Sequence, residues 1–540
     1  MEFKEYSENV VKNFLGSVAF IDDKIFTKEQ TKSSDPTTVI TPSRATSPKQ
    51  NKLPSTTNTS SIEAITKTAE QDLEIDPKEF MDVFTNEGIH CSLCEYNKES
   101  TQAYKNILLK SDVAILDWNM NSGENEGTEA CEFIEYMIKT DKELSLRLIV
   151  IYTSTPKQQW SDNIIENTIK PLFGNAKTII TDNSISSGHT KIVFIHKGNP
   201  NTLPARIIEE FAEMTSGLVS NTALNAVTVI RENTNKLLGV FHKDLDPAYL
   251  SNRALLANKK SDVLPESSED LLKEMIMSSI LNLVQSSHLS KSCGEECISK
   301  WMDSIQDFKG KDIKVNGKVL KISNSDRKEW LKDGSEKITE IIIQRSGASG
   351  QLGKAEKNIM LTDPINYFTP EHNNSKNLNE EFAVLSHQNK NFLGDKFIPI
   401  LSLGCVLKYK SESPSKDNYL LCIQQPCDSS RLSSDEERSF IFLELENSKP
   451  KKTKIIVKAD ENSYIKLEPK LNSHYLRTYI FKENKDGFVQ ANNQEFVSKC
   501  GTRFKWFCDL KSNHAQRIVN EFSAALARVG LDESEFLRLS

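Results

Sequence analysis

Acidic, hydroxyl and amine side chains follow four apolar runs of this 540-residue sequence, each at the point where the run ends. The second of them, in "DVAILDW", is followed directly by Asp117. An ionised carboxylate at the end of a buried strand is costly unless it is paired or binds a metal, although an Asp after a strand can also simply open a turn. Asp22 and Asp23 follow the first run, "SVAFI", and Asp117 follows the second. Thr153 and Ser154 follow the third run, "LRLIVIY", and Lys197 follows the fourth, "KIVFIH".

These residue types suit phosphoryl chemistry if the fold brings them together. Three close carboxylates would repel one another and raise one another's pKa unless a cation bridged them. Oxygen ligands with room for water favour Mg²⁺ over zinc. A lysine and a hydroxyl beside such a metal can stabilise the charge on the peripheral oxygens of a transferred phosphoryl group. A carboxylate nucleophile would then form an acyl phosphate.

The surrounding pattern predicts a fold that brings them together. Between residues 14 and 215, strands that are apolar on both faces alternate with amphipathic helices, which indicates a parallel sheet covered by helices on both sides. Five such strands predict the flavodoxin-like, doubly wound α/β order, whose ligand site lies at the carboxyl ends of the strands. We predict a helix over "WSDNIIENTIKPLF" (160–173). The extended piece "KTIITDN" (177–183) has no assigned place in this sheet.

A segment rich in Ser, Thr, Pro and Lys interrupts this pattern after the first strand. Residues 27–75 have too few apolar side chains to bury a core, and we predict a disordered loop insertion there. An amphipathic helix with Pro near its start and Gly at its end, "DPKEFMDVFTNEG" (76–88), resumes the ordered pattern.

In their order along the chain, these motifs resemble the receiver domain of two-component response regulators. The resemblance rests on "DD", "DWNM", "YTS" and "HK", each after its apolar strand, and it covers residues 14–215. It implies that Asp117 is the phosphoacceptor and that the chain receives a phosphoryl group rather than acting as an enzyme, apart from slow autodephosphorylation. Mg²⁺ is the implied cofactor, with a histidine kinase as the phosphodonor.

The resemblance also implies a role for each of the other site residues. Asp23 and Asp117 would bind Mg²⁺ directly, Asp22 mostly through metal-bound water, and Asn119 through its backbone carbonyl. Two residues would carry the chemistry together with Asp117. Thr153 would be the conformational-switch hydroxyl, and Lys197 would be the lysine that pairs with the phosphate. Phe194 stands at the position of the aromatic residue that swings inward on activation. Departures from the family pattern are Asn121 and Gly198 in place of proline, and Ser154, which can share the hydroxyl role with Thr153.

The rest of the chain predicts a helical region over residues 216–310 and a β-rich α+β domain over residues 311–540. Segments such as "RENTNKLLGVFHKDLDPAYLSNRALL" and "YLLCIQQPCDSSRL" resemble the shared body of large receiver proteins in bacterial conflict systems, among them those of the Detocs anti-phage system. Because no nucleoside phosphorylase pattern is found, the chain resembles the effector-free receiver of that system, which takes up stray phosphoryl groups.

Composition and charge limit the other classes of protein. A net charge of −7 argues against a main role in holding nucleic acid. No apolar run is long enough to span a bilayer and the acidic start does not resemble a signal peptide, so we predict a cytoplasmic protein.

The ten cysteines lack metal-ligand spacing, including the CxxC of Cys91 and Cys94 on a predicted strand, and are expected to be reduced. The lysine-rich runs "KGKDIKVNGK" and "KPKKTKIIVK" are typical of protected β-sheet edges.

Three functions remain open from the sequence. The favoured one is a phosphate-accepting receiver that acts as a decoy, or phosphate sink, in an anti-phage signalling system. Its partners would be the histidine kinase and a second receiver protein carrying an effector, with neither a membrane nor nucleic acid expected. The alternatives are a transcriptional or signalling regulator with a nucleic-acid-binding C-terminal output, and a toxic effector enzyme.

Overall fold

The computed structural model describes residues 2–25, 76–120, 126–140, 145–256, 267–286, 290–310, 312–315, 318–334, 340–341, 343–345, 364–371, 377–392, 394–410, 417–430, 432–448, 452–460, 463–485 and 487–527. The predicted loop over residues 27–75 lies outside these ranges. The chain divides into two compact units, Met1–Thr228 with Leu289–Cys297, and Val229–His288 with Ile298–Ser540. Each unit is described separately.

A seven-stranded sheet forms the centre of the first unit. Its strands are β1 (Ser17–Asp22), β2 (His90–Glu95), β3 (Val113–Leu116), β4 (Arg147–Thr153), β5 (Ile179–Ile180), β6 (Ser184–Ser187) and β7 (Thr190–His196). Their spatial order is β2-β1-β3-β4-β7-β6-β5. The first five are parallel, as the sequence pattern predicts, and β6 and β5 continue the sheet antiparallel. The extended piece at 177–183 therefore contains β5, in an added hairpin.

Helices cover both faces of this sheet because its central strands are apolar on both. They are α1 (Phe3–Phe14), α2 (Pro77–Asn86), α3 (Thr101–Lys110), α4 (Thr128–Thr140), α5 (Leu203–Thr215) and α6 (Leu218–Val240). Helices α1, α2 and α5 pack on one face, and α3 and α4 pack on the other. Asp76 fixes the start of α2, since its side chain accepts hydrogen bonds from the backbone amides of Lys78 and Glu79.

The helix predicted over residues 160–173 is present but is not an α-helix. Residues Trp160–Ile169 form a π-helix and Lys170–Phe173 a 3₁₀ turn. Pro171 has no N–H to donate and favours a break near that point. The buried side chains of Trp160, Ile165 and Ile169 are four or five residues apart, so the wider π turn places all three toward the core.

The remaining elements are short helices and a large antiparallel sheet. The helices are α7 (Asp246–Leu256), α8 (Ser267–Ser286), α9 (Ser290–Cys293), α10 (Glu295–Ser304), α11 (Asn324–Asp333), α12 (Leu378–His387), α13 (Pro426–Ser429) and α14 (Ser512–Leu526). The strands are β8 (Asp312–Val315), β9 (Lys318–Lys321), β10 (Cys405–Lys410), β11 (Asp417–Cys422), β12 (Glu437–Asn447), β13 (Ile455–Asp460), β14 (Ser463–Pro469), β15 (Leu476–Lys482), β16 (Glu495–Val497) and β17 (Arg503–Asp509).

Strands β10 to β17 form the sheet of the second unit. Their order is β13-β14-β12-β11-β10-β17-β16, and β15 also pairs with β12. Buried side chains form a core on each face of this sheet. The β-rich character predicted for this part of the chain is confirmed. Among the described residues, no helix is both long and apolar enough to cross a membrane.

Two neighbouring histidines join α12, β13 and α14 in the second unit. The Nε2 atom of the buried His387 accepts the N–H of Ile456 at 3.2 Å, and its Nδ1 is hydrogen-bonded to the carbonyl of Ala383. The His514 ring lies 5.0 Å away, centroid to centroid, and an N–H of Arg517 points at its Nδ1 at 3.0 Å. Burial lowers the pKa of both histidines. Both rings are therefore neutral at pH 7.

Acidification is expected to loosen this contact. A folded-state pKa below the unfolded value gives stability that is present above pH 6.5 and is lost as pH falls further. Protonated His387 cannot accept the Ile456 N–H, and it would face His514, Lys511 and Arg517. We expect hydrogen exchange at the Ile456 amide, corrected for intrinsic rates, to become several-fold faster between pH 7.5 and pH 5.5. A His387→Gln variant that keeps the same pH dependence would contradict this prediction.

Candidate functional site

The carboxyl ends of the parallel strands bring four predicted site residues into contact. Lys197, after β7, places its Nζ 2.8 Å from Oδ2 of Asp22 and 3.0 Å from Oδ1 of Asp117. Asp117 follows β3 directly, and its backbone N–H donates to the carbonyl of Ile21 on β1 at 2.9 Å. Asp23 completes the group, because one carboxylate oxygen from each of the three acids lies within 4.8 Å of the others. The predicted convergence is therefore observed.

Burial governs the electrostatics of this cluster. Asp22 is 1% exposed and Asp117 is 4% exposed. Burial raises the pKa of Asp117 to about 6; Lys197 opposes this change, and repulsion from Asp22 and Asp23 adds to it. Burial and the neighbouring Asp22 charge also raise the pKa of Asp23. Burial lowers the pKa of Lys197, but its two ion pairs outweigh that effect and leave the pKa above its ordinary value.

Two oxygen atoms of the site are buried and have no hydrogen-bond partner within the described residues. They are Oδ1 of Asp23 and Oδ1 of Asn119. A buried oxygen without a donor is costly, and a cation can satisfy it. With three carboxylates and one lysine, the cluster also carries an excess of negative charge. Its donors are all oxygens, which fits a hard divalent cation such as Mg²⁺ and does not favour zinc.

The fully buried Thr153 connects the acidic cluster to a second hydrogen-bonded group. Its hydroxyl donates to Oγ1 of Thr155 at 3.0 Å and accepts the Thr155 backbone N–H at 3.1 Å. The indole N–H of Trp160 donates to the Thr155 carbonyl at 3.0 Å. Ser154 lies between the two threonines and is half-buried. The hydroxyl partner of Thr153 is thus Thr155, a residue that no motif in the sequence singles out.

Phe194 lies between two tryptophans in the core behind the site. Its ring centroid is 5.9 Å from that of Trp118 and 5.8 Å from that of Trp160, and all three rings are buried. Trp118 follows Asp117 in sequence, and Trp160 hydrogen-bonds Thr155. A continuous set of contacts therefore runs from Asp117 through Trp118, Phe194 and Trp160 back to the hydroxyl of Thr153.

Two further residues position the site, although the sequence analysis did not select them. The hydroxyl of Tyr152 accepts the backbone N–H of Gly198 at 3.2 Å and lies 3.2 Å from the carbonyl of the same residue. The backbone N–H of Lys197 donates to the Thr153 carbonyl at 2.7 Å. The second residue is Gly127, which has a φ of +79° and lies against Trp118. Gly127 directly precedes α4.

Gly127→Ala is expected to destabilise the first unit strongly. An added Cβ would lie 2.2 Å from the Trp118 ring, and the positive φ adds backbone strain. Gly88→Ala is the matched control, since Gly88 has a φ of +76° but nothing within 4 Å of its Cβ position. We expect a cost of about 1 kcal/mol for Gly88→Ala and about 3 kcal/mol for Gly127→Ala in urea unfolding. Equal costs would show that Trp118 moves freely out of the way.

Comparison with known proteins agrees with this geometry. Residues 14–202 match the family model described as "Response receiver domain". No curated protein and no solved structure matches the chain. The match covers β1 to β7 and every residue of the acidic cluster.

Proposed function

Because residues 14–202 match the family model "Response receiver domain", we propose that Asp117 accepts a phosphoryl group from the phosphohistidine of a histidine kinase in a Mg²⁺-dependent reaction. One observation carries this proposal. The buried Asp117 carboxylate, directly after β3, lies within ion-pair distance of Lys197 and within 4.8 Å of ligand oxygens from two further acids. A nucleophile, a cation for phosphate oxygens and a set of metal ligands are thereby combined in one place.

In the proposed step, one oxygen of Asp117 attacks phosphorus as the bond from phosphorus to the histidine nitrogen breaks. The leaving imidazole keeps the electron pair of that bond and takes up a proton, and an acyl phosphate forms on Asp117. Lys197 pairs with a peripheral oxygen of the transferred group. Asp22, Asp23, Asp117 and the Asn119 backbone carbonyl would hold Mg²⁺. When bound, Mg²⁺ supplies positive charge for those peripheral oxygens.

Thr153 and Phe194 would carry the response to phosphorylation. The Thr153 hydroxyl, which bonds Thr155 here, would turn toward a phosphoryl oxygen on Asp117. That change would remove one hydrogen bond to Thr155, whose carbonyl accepts the indole N–H of Trp160. Phe194 packs against the Trp160 ring. The proposed switch thus acts through the aromatic contacts on the α3 and α4 face of the sheet.

The chemistry can be tested without knowledge of the kinase, with acetyl phosphate as the donor. We expect incorporation of phosphate that requires Mg²⁺, is abolished by EDTA, and is lost in alkali as an acyl phosphate is. Borohydride should reduce the acyl phosphate on Asp117 to homoserine. Peptide mapping should then locate the homoserine at position 117. Modification at another carboxylate, or labelling that is stable to alkali, would refute the assignment.

We further propose that the protein acts in the cytoplasm as a phosphate sink in an anti-phage signalling system. Support comes from the resemblance of its later segments to effector-free receivers of such systems. A sink competes for the same phosphohistidine as a partner receiver that carries the effector. It therefore needs an intact nucleophile and no output of its own.

In cells that carry the whole system, Asp117→Ala is expected to reduce growth, because phosphoryl groups would then reach the partner's effector. Deletion of the kinase should restore growth. Normal growth of the Asp117→Ala strain together with loss of phage protection would instead identify the chain as an activator or effector.

A further inference from the structure

A basic concavity lies on the sheet of the second unit, on strands β10, β16 and β17. Its volume is about 650 Å³. Four cationic side chains line it, together with a single acid, Glu495. The cations are Lys408 and Lys410 of β10 and Arg503 and Lys505 of β17.

Two of the four cations are neutralised by neighbouring acids. Lys408 pairs with Asp417 at 2.8 Å, and Arg503 pairs with Glu495 at 3.2 Å. Lys410 and Lys505 have no ion-pair partner among the described residues. The surface of the concavity therefore keeps an excess of positive charge.

The position of these lysines differs from that of lysines that protect sheet edges. β10 and β17 are interior strands, with β11 on one side and β16 on the other. Lys408 stands directly opposite Lys505 in the antiparallel register. Like charges directly opposite each other destabilise a sheet. Glu495 stands opposite Lys505 on its other side, but the Glu495 carboxylate pairs with Arg503. Protection of an edge accounts for neither the interior position nor this opposition.

We propose that this concavity binds a ligand with at least two adjacent phosphate groups, the polyphosphate of a nucleotide or an inorganic polyphosphate. Residues two apart on one strand are about 7 Å apart, and the neighbouring strand is about 5 Å away. The four cations thus cover an area that a short polyphosphate can span, and the concavity has the size of a small-molecule site.

Cys500, in the turn between β16 and β17, provides a local probe of this site. It is exposed and lies in the lining of the concavity. Hydrogen bonds from Ser498 and Thr502 lower the pKa of its thiol to about 7. Its alkylation can therefore be followed near neutral pH, and a ligand bound beside it should slow that reaction.

The experiment uses the full chain in EDTA, so that no metal occupies the acidic cluster of the receiver. Binding of ATP, inorganic tripolyphosphate and AMP is measured by calorimetry at low salt. Alkylation of Cys500 by iodoacetamide is followed by peptide mapping, with the exposed Cys427 as the internal control. The double variant Lys410→Glu, Lys505→Glu is compared with Lys332→Glu, Lys390→Glu, which makes the same change in net charge at exposed lysines outside the concavity.

We expect ATP or tripolyphosphate to bind at least about tenfold more tightly than AMP and to slow alkylation at Cys500 but not at Cys427. Charge reversal in the concavity should weaken binding at least about tenfold, and the control pair should leave it unchanged. Whichever of ATP and tripolyphosphate binds more tightly identifies the source of the phosphates. Equal weakening by both double variants, no protection of Cys500, or tighter binding of a single-stranded oligonucleotide than of either polyphosphate would overturn the proposal.

Discussion

Asp117→Asn is expected to abolish phosphorylation of this protein. The amide keeps the shape of the side chain but lacks the anionic oxygen that attacks phosphorus. Asp22 is poorly placed to replace it, because Asp22 is 1% exposed and is held by Lys197 and by the backbone N–H of Lys24. We expect acetyl phosphate labelling to fall by at least about a thousandfold, to the level of the blank, which corresponds to about 4 kcal/mol in transition-state stabilisation.

The same variant should be more stable than the wild type in EDTA. Since burial and repulsion raise the pKa of Asp117 to about 6, its ionised form opposes folding at pH 7. Removal of that charge is expected to stabilise the fold by on the order of 2 kcal/mol, with the gain disappearing below pH 4. Asp82→Asn, at an exposed position of α2, is the control and should change neither property. Residual labelling of the variant would contradict the assignment, and loss of labelling together with lower stability would indicate that the variant is misfolded.

Asp23 is expected to be needed for Mg²⁺ binding, and Lys197 is not. Asp23→Ala removes a carboxylate whose Oδ1 is buried without a donor, and we expect Mg²⁺ affinity to fall about a hundredfold. Lys197→Ala removes a cation that lies 2.8 Å from Asp22 and 3.0 Å from Asp117. Mg²⁺ affinity should then be unchanged or higher, while phosphorylation no longer produces the conformational response.

Both affinities can be measured from the fluorescence of Trp118, which is buried directly after Asp117. A Trp118→Phe variant is the control, because it should remove the Mg²⁺-dependent signal and leave the background from the other tryptophans. Equal Mg²⁺ affinity in the wild type and Asp23→Ala would reject the role of Asp23. Loss of Mg²⁺ binding in Lys197→Ala would show that the lysine holds the acids in position.

The elements that carry the acidic cluster follow from the sequence because their patterns are local. Each strand is a short run of apolar side chains, and parallel pairing places every carboxyl end at one edge. The added hairpin could not be predicted in the same way. β5 is only two residues long, and β6 reads "SISS", so their pairing depends on the neighbouring β7 rather than on their own composition.

The contacts behind the site were also beyond the sequence pattern. "YTSTP" contains four hydroxyl side chains, and only the three-dimensional structure selects Thr155 as the partner of Thr153. Trp160 was expected on a helix, but its place against Phe194 depends on a π turn that no spacing rule for α-helices anticipates. The positions of the acids follow from the strands, which the sequence pattern predicts. The contacts of Thr155 and Trp160 depend instead on how the loops and the π-helix pack.

The β5–β6 hairpin makes β7, the last parallel strand, an interior strand of the sheet. Without it β7 would be an outer strand, free to separate from the sheet or to accept a strand from another molecule. With it, Phe194 pairs with Ile151 on one side and donates its N–H to Asn183 on the other at 2.8 Å. The main chain that leads to Lys197 is thereby hydrogen-bonded to a neighbouring strand on each side. If Asp117 is phosphorylated as proposed, we expect the response to pass through side-chain rotations rather than through separation of β7 from the sheet, and docking by strand exchange is blocked at β7.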